Sequence, residues 1–230
     1  MGRIILLGLL ASMLALGTGY ADPDKSVVIG VNAIGRVAPT DTQPLPQPVA
    51  EAGAARATLY EEDPANPRGN AFVGLAMWRT QSDVPRPGMP PELKIHADIE
   101  IPDRRLVLNW SFYVNPDPAL PASHLVELRF SLASPASGAV ATVPGLLMKS
   151  AEQARGVPLA SRSVRVRDNV FLIGLNSFAP DMERNITNLK TGSWFDIPII
   201  YDDKRRAIIA LEKGIAGTRA FAEGFATWRQ

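Results

Sequence analysis

The sequence predicts a mainly β protein, an antiparallel β-sandwich with two short covering helices, and three observations predict it. Apolar and polar residues alternate with a period of two in many short segments. Pro, Gly, Asn and Asp separate those segments. Only two stretches carry an apolar stripe at helical spacing. The chain has 230 residues and no cysteine, so neither a disulfide nor a thiolate nucleophile or thiolate metal ligand enters the account.

The N-terminal part is expected to be an export signal. Arg3 gives a positive start, Ile4 to Leu16 is apolar and uncharged, and Gly19-Tyr20-Ala21 supplies small residues at the positions a signal peptidase reads. Cleavage near Ala21 would place the protein in the periplasm or outside the cell. The alternative is an uncleaved inner-membrane anchor, because the charge-free stretch from residue 4 to residue 21 reaches the lower limit for spanning a bilayer of about 30 Å. Residues 22–53 then read as a flexible Pro-rich segment, in which Pro39, Pro44, Pro46 and Pro48 oppose both helix and sheet. The β-sandwich domain is assigned to residues 54–230.

Within that domain Phe72–Thr80 reads as a strand from its β-branched and aromatic content. Lys94–Val114 reads as a hairpin turning at Pro102-Asp103. Ile95, Ala97, Ile99 and Ile101 share one face with Leu106, Leu108, Trp110 and Phe112, and the expected register sets Ile99 opposite Leu106 and Glu100 opposite Arg105. His124, Val126, Leu128, Phe130 and Leu132 give the inward face of a further strand. Arg162–Asn176 forms a second hairpin around Asp168-Asn169, which tolerate turn angles. Trp194–Tyr201 and Arg205–Lys213 form a third across Asp202-Asp203, with Pro198 arguing that its first arm is a sheet edge.

The first helix opens at Pro180, carries Asp181 and Glu183 in its first turn and Lys190 in its last, and stops at Gly192. Its apolar stripe is Met182, Ile186 and Leu189. The second, about Thr218 to Trp228, has Phe221, Phe225 and Trp228 as its stripe.

The residues that carry chemistry are few. There is no Gly-x-Ser-x-Gly elbow, no serine three residues ahead of a lysine, no glycine-rich phosphate loop and no cofactor fingerprint. His96 shares a strand face with Lys94, Asp98 and Glu100, and His124 lies on an apolar face. A solvated polar face and a core histidine explain them without a metal or a base. Glu61-Glu62-Asp63 is acidic but lacks the ligand spacing of a calcium loop. No catalytic, cofactor-binding or metal residue is assigned and no cofactor is expected. Arg155, Arg162, Arg165 and Arg167 form the densest basic region, with Arg165 and Arg167 expected on one strand face, and are the candidate surface for an anion or a partner.

Removing Arg3 from the 24 basic residues leaves 23 against 23 acidic ones, so the remainder is formally neutral and nothing favours nucleic acid.

The C-terminal layout runs from Phe171-Leu172-Ile173-Gly174-Leu175 through the Met182–Lys190 helix, Gly192, the arms at Phe195–Tyr201 and Arg206–Glu212, to a last helix carrying Gly224-Phe225-Ala226. Over about residues 143–230 it resembles the invasion-associated locus B family, whose members usually carry cysteine pairs that this chain lacks. The resemblance implies an envelope-associated β-sandwich without known catalytic residues, and no site residue is carried over from it. The functional expectation is an exported envelope or periplasmic binding module without catalysis, its partner a protein or envelope component. Membrane contact would come only through residues 4–21. The rival reading is a hydrolase of envelope glycans using carboxylates such as Glu61, Asp98 or Glu100, which would have to converge at roughly 5–10 Å.

Overall fold

A computed structural model describes residues 53–84, 91–132 and 139–228. The export signal and nearly all of the Pro-rich segment fall outside the described residues. The elements are β1 (Ala55–Asp63), β2 (Asn66–Asp83), β3 (Glu92–Ile101), β4 (Leu106–Val114), β5 (Ala122–Leu132), β6 (Val140–Thr142), β7 (Leu147–Lys149), β8 (Val157–Pro158), β9 (Ser161–Arg167), β10 (Val170–Asn176), α1 (Ala179–Thr191), β11 (Trp194–Tyr201), β12 (Arg206–Glu212) and α2 (Gly214–Thr227). The fold is mainly β and antiparallel, with two helices, as the alternation predicts.

The strands form one sheet in the order β8-β7-β11-β12-β1-β2-β3-β4-β5-β10-β9, and β6 adds to β11. The sandwich arises because this sheet curls. Phe195 on β11 and Trp110 on β4 are five places apart in the strand order, yet their rings lie 5.7 Å apart. The two terminal strands, β8 and β9, are joined by only Leu159 and Ala160. The Leu159 amide donates to the Leu146 carbonyl on one side, and the Asn176 amide donates to the Ala160 carbonyl on the other. Asn185 of α1 holds the same bridge, accepting from the Ala160 amide and donating to its carbonyl, both at 2.8 Å. An asparagine on the buried side of α1 thus ties the two ends of the sheet at one rim.

The inner faces follow the period-two pattern. Ile95, Ala97, Ile99, Ile101, Leu106, Leu108, Trp110 and Phe112 are all buried, as are His124, Val126, Leu128 and Phe130. The register of the β3–β4 hairpin differs from the expected one: Ile101 pairs with Leu106, Ile99 with Leu108, and Glu100 faces Val107 rather than Arg105. The turn is longer than two residues. A single 3-10 turn at Pro102–Arg104 is closed by Arg105 in the left-handed region at φ 45°. The resulting shift is by two positions, an even number, so every apolar side chain keeps its face.

Pro198 also sits differently from expectation. β11 is flanked on both sides, by β12 throughout and by β7 and β6 on the other side. β7 pairs with Trp194 to Asp196 and β6 with Ile200 and Tyr201, so Pro198 falls where one neighbour hands over to the next. There its missing N–H costs no ladder bond to either strand.

α2 packs against β1, β2 and β3 and begins four residues before the expected Thr218, taking in Gly214 and Gly217. A Cβ at Gly217 would stand 3.1 Å from the Trp78 ring, so glycine there lets the indole lie against the helix. α1 spans Ala179–Thr191, with Pro near its start and Gly192 after its end. Its C-terminal carbonyls at Leu189 and Gly192 accept hydrogen bonds from Lys213 Nζ at 2.7 and 2.8 Å. That ammonium is buried, and burial pushes it down to about 8.

Candidate functional site

β9 ends the strand order, and none of its seven residues is buried. It exists because β-branched valines alternate with arginines and serines, and because Asn169, at φ 57°, turns the chain back into β10. Arg162, Arg165 and Arg167 are exposed on it. Arg165 pairs with Asp168 at 2.8 Å, and Arg162 and Arg167 make no ion pair with a described residue. The expectation that Arg165 and Arg167 share a face is corrected by a bulge. Arg165 lies opposite Phe171 and Arg167 opposite Val170, so the extra residue at Val166 sends the two arginines to opposite faces. Arg162, Val164 and Arg167 take the outer face, and Arg165 takes the inner face with Ser161 and Ser163. Arg155 is not on this strand; it lies exposed in the loop before β8, across the Leu159-Ala160 bridge. Sequence reasoning passed over the exposure of Val164 and Val166, 55% and 60%. Valines on a strand that ends in arginines are the signal for it.

The three neighbouring carboxylates of Glu61-Glu62-Asp63 go to three different partners. Glu61 is buried with the core face. It accepts from the Tyr201 hydroxyl at 2.6 Å and pairs with Arg104 at 3.0 Å. Burial, then the Glu61 hydrogen bond and charge, hold the Tyr201 phenol above its ordinary value. Glu62 pairs with Arg206 at 2.8 Å. Asp63 accepts from the Ala65 amide and from Asn70, and those bonds, the amide's first, hold its carboxyl below the usual range. Asp98, flanked by the buried Ala97 and Ile99, points to the outer face, where it meets Arg79 and Asn109. Glu61 thus stands on the opposite side of the sheet from Asp98 and Glu100 and does not converge with either of them. Among the described residues no group of three or more His, Asp or Glu is arranged to hold a metal ion. Nor is any described helix long and apolar enough to cross a membrane.

His96 is half-buried on the outer face, with Nδ1 2.9 Å from Ser111 Oγ. Desolvation, then the charge of Arg79, lower its pKa. His124 is fully buried against Phe112, Phe225 and Trp228, with its ring 5.1 Å from that of Phe112. Nδ1 is 3.2 Å from Ser123 Oγ, and Nε2 has no hydrogen-bond partner among the described residues. Burial pushes this imidazole down to about 4 from an ordinary 6.5. Between those values the unfolded chain holds a proton that the folded one does not. The stability is therefore complete above pH 6.5 and falls as pH drops toward 4, by about 3 kcal/mol. Urea midpoints measured across that interval should decline, and His124→Phe should flatten the decline. An equal decline in the variant would assign it to other groups.

A buried ionic network lies on the outer face beneath the loop 150–156. Lys149 and Asp196, 3% and 1% exposed, pair at 2.6 Å, and Lys149 Nζ also donates to the Glu152 carbonyl. The Glu152 carboxylate accepts from the Thr58 hydroxyl at 2.8 Å and the Tyr60 hydroxyl at 2.9 Å, and pairs with Arg56 at 3.3 Å. These groups spend their hydrogen bonds on one another and on the loop backbone, which is the work of a staple.

No family model matches the chain, and no curated protein or solved structure matches it either.

Proposed function

We propose that the protein is an exported binding module, without catalysis, that meets a protein or envelope component through the arginine-bearing end of its sheet. The observation that carries this reading is β9. It is a terminal strand with no buried residue, and it holds three exposed arginines of which one has a carboxylate partner among the described residues. Arginine presents a planar fork of donors suited to carboxylate and phosphate, so such a strand offers recognition as well as charge. The export signal read at residues 1–21 and the envelope setting implied by the C-terminal layout support a place outside the cytoplasm. Most of the carboxylates and both histidines described above are hydrogen-bonded or paired within the fold or enclosed by the core, which favours contact over turnover.

The test is capture from a solubilised envelope fraction by the domain starting at residue 22, compared with Arg162→Glu/Arg165→Glu/Arg167→Glu. We expect one defined partner set to be retained by the native protein and reduced at least tenfold by the triple reversal, with circular dichroism unchanged. Capture indifferent to the reversal, or a hydrolytic activity lost on mutating His96 or His124, overturns the reading.

A further inference from the structure

We propose that β9 recognises its partner by strand addition: an extended acidic segment of a partner protein pairs along the edge that no described strand covers, its carboxylates seated on Arg162, Arg165 and Arg167. The inference rests on the binding-module reading and specifies its geometry.

The two ends of the sheet are built differently. β8 is two residues long and includes Pro158, which has no N–H to offer a neighbour. β9 runs for seven residues, pairs with β10 on one side and ends the strand order on the other. A row of unpaired backbone donors and acceptors is a template for another strand. Charges on such an edge commonly serve to repel other copies of the chain, and three arginines would do that. They do not explain why Val164 and Val166 stand 55% and 60% exposed between them. β-branched side chains favour the strand itself, and left exposed on an edge they also offer contact area to an incoming strand.

The charge pattern selects the occupant. Asp168, in the turn itself, pairs with Arg165 alone of the three, and its side chain is 93% exposed. A second copy of β9 would bring three more arginines against three, so self-pairing is opposed and an acidic strand is favoured. The bulge adds a requirement. Because Arg162, Val164 and Arg167 lie on one face and Arg165 on the other, the incoming strand must place acidic residues on both of its faces, with an apolar residue opposite Val164. An anionic polymer has no such constraint on its backbone.

Backbone pairing and simple anion contact are separable with modified peptides. The probe is a synthetic strand-forming peptide of Glu, Val and Thr carrying that pattern, offered to the protein in three forms. One form is unmodified, one is N-methylated at alternate amides along one edge, and one along the other edge. We expect the unmodified peptide to bind, methylation of one edge to weaken it at least tenfold, methylation of the other to be tolerated, and Arg162→Glu/Arg165→Glu/Arg167→Glu to abolish it. Arg162→Gln/Arg165→Gln/Arg167→Gln, which keeps the strand polar without reversing charge, should bind weakly and guards against a folding artefact. If both methylated forms bind as well as the parent and soluble polyglutamate competes, the arginines are an anion surface and strand addition is overturned while the binding reading stands. Failure of every acidic peptide overturns strand addition as well. The triple reversal in the envelope capture then decides the broader reading on its own.

Discussion

Lys149→Met is expected to destabilise the protein by about 3–5 kcal/mol, the range for removing one partner of a buried ion pair. The cost is the charge left behind: Asp196 is 1% exposed and loses the ammonium 2.6 Å away. Asp196 sits in a cross-strand row, between Leu147 on one side and Ala210 on the other, with Thr58 beyond Ala210. Every neighbour in that row is small or apolar except Thr58, whose hydroxyl is already given to Glu152. Losing the ammonium favours opening the loop to water around the carboxylate. Losing Lys149 also removes the donor to the Glu152 carbonyl, so the loop 150–156 should become sensitive to proteases before the sheet does. Replacing both partners, Lys149→Met/Asp196→Leu, should recover most of the loss, since an apolar pair of similar size leaves no charge to desolvate. Equilibrium urea unfolding of the two single variants and the double variant measures this. A double variant as unstable as the singles would mean that the network matters through its shape rather than its charge.

The sequence reveals less of this network than of the core beneath it, for a physical reason. Faces are written locally: the Ile95 to Phe112 hairpin keeps its apolar side whatever the register, because the period is two and the shift observed is even. Register depends on the turn, and here Arg105 adopts the left-handed conformation that glycine or asparagine would have announced. The same holds for β9, where the strand and its arginines are legible but the bulge at Val166 that separates Arg165 from Arg167 is not. The Lys149–Asp196 pair joins residues 47 positions apart, and nothing near either one specifies the other. A lone carboxylate inside Trp194-Phe195-Asp196-Ile197 is the trace it leaves, since a buried charge in an apolar strand requires a partner. Asn185 leaves a similar trace, a polar residue on the inward side of a helix whose stripe otherwise reads as Met182, Ile186 and Leu189.

Phe221→Ala should cost a comparable amount, about 3–5 kcal/mol for removing a large aromatic from a packed core. Its ring is 2% exposed and lies 5.6 to 5.9 Å from those of Trp78, Trp110, Phe112 and Phe195. These four rings come from β2, β4 and β11, so the side chain is the point at which α2 joins both halves of the curled sheet. Phe221 also supports a charge: the Lys213 ammonium sits 4.6 Å from the centre of its ring. Truncation would therefore leave that buried ammonium facing a cavity as well as the carbonyls of α1, and the loss should exceed that of Phe225→Ala, whose ring meets Phe112, His124, Phe221, Trp228 and the exposed Lys190 and supports no buried charge. Phe178→Ala, at a side chain 64% exposed ahead of α1, is the control and should change stability by less than about 0.5 kcal/mol. Thermal and urea unfolding of the three variants orders them. Equal losses at Phe221 and Phe225 would show that the helix is held by its apolar stripe as a whole, without a privileged contact where the two sheet halves meet.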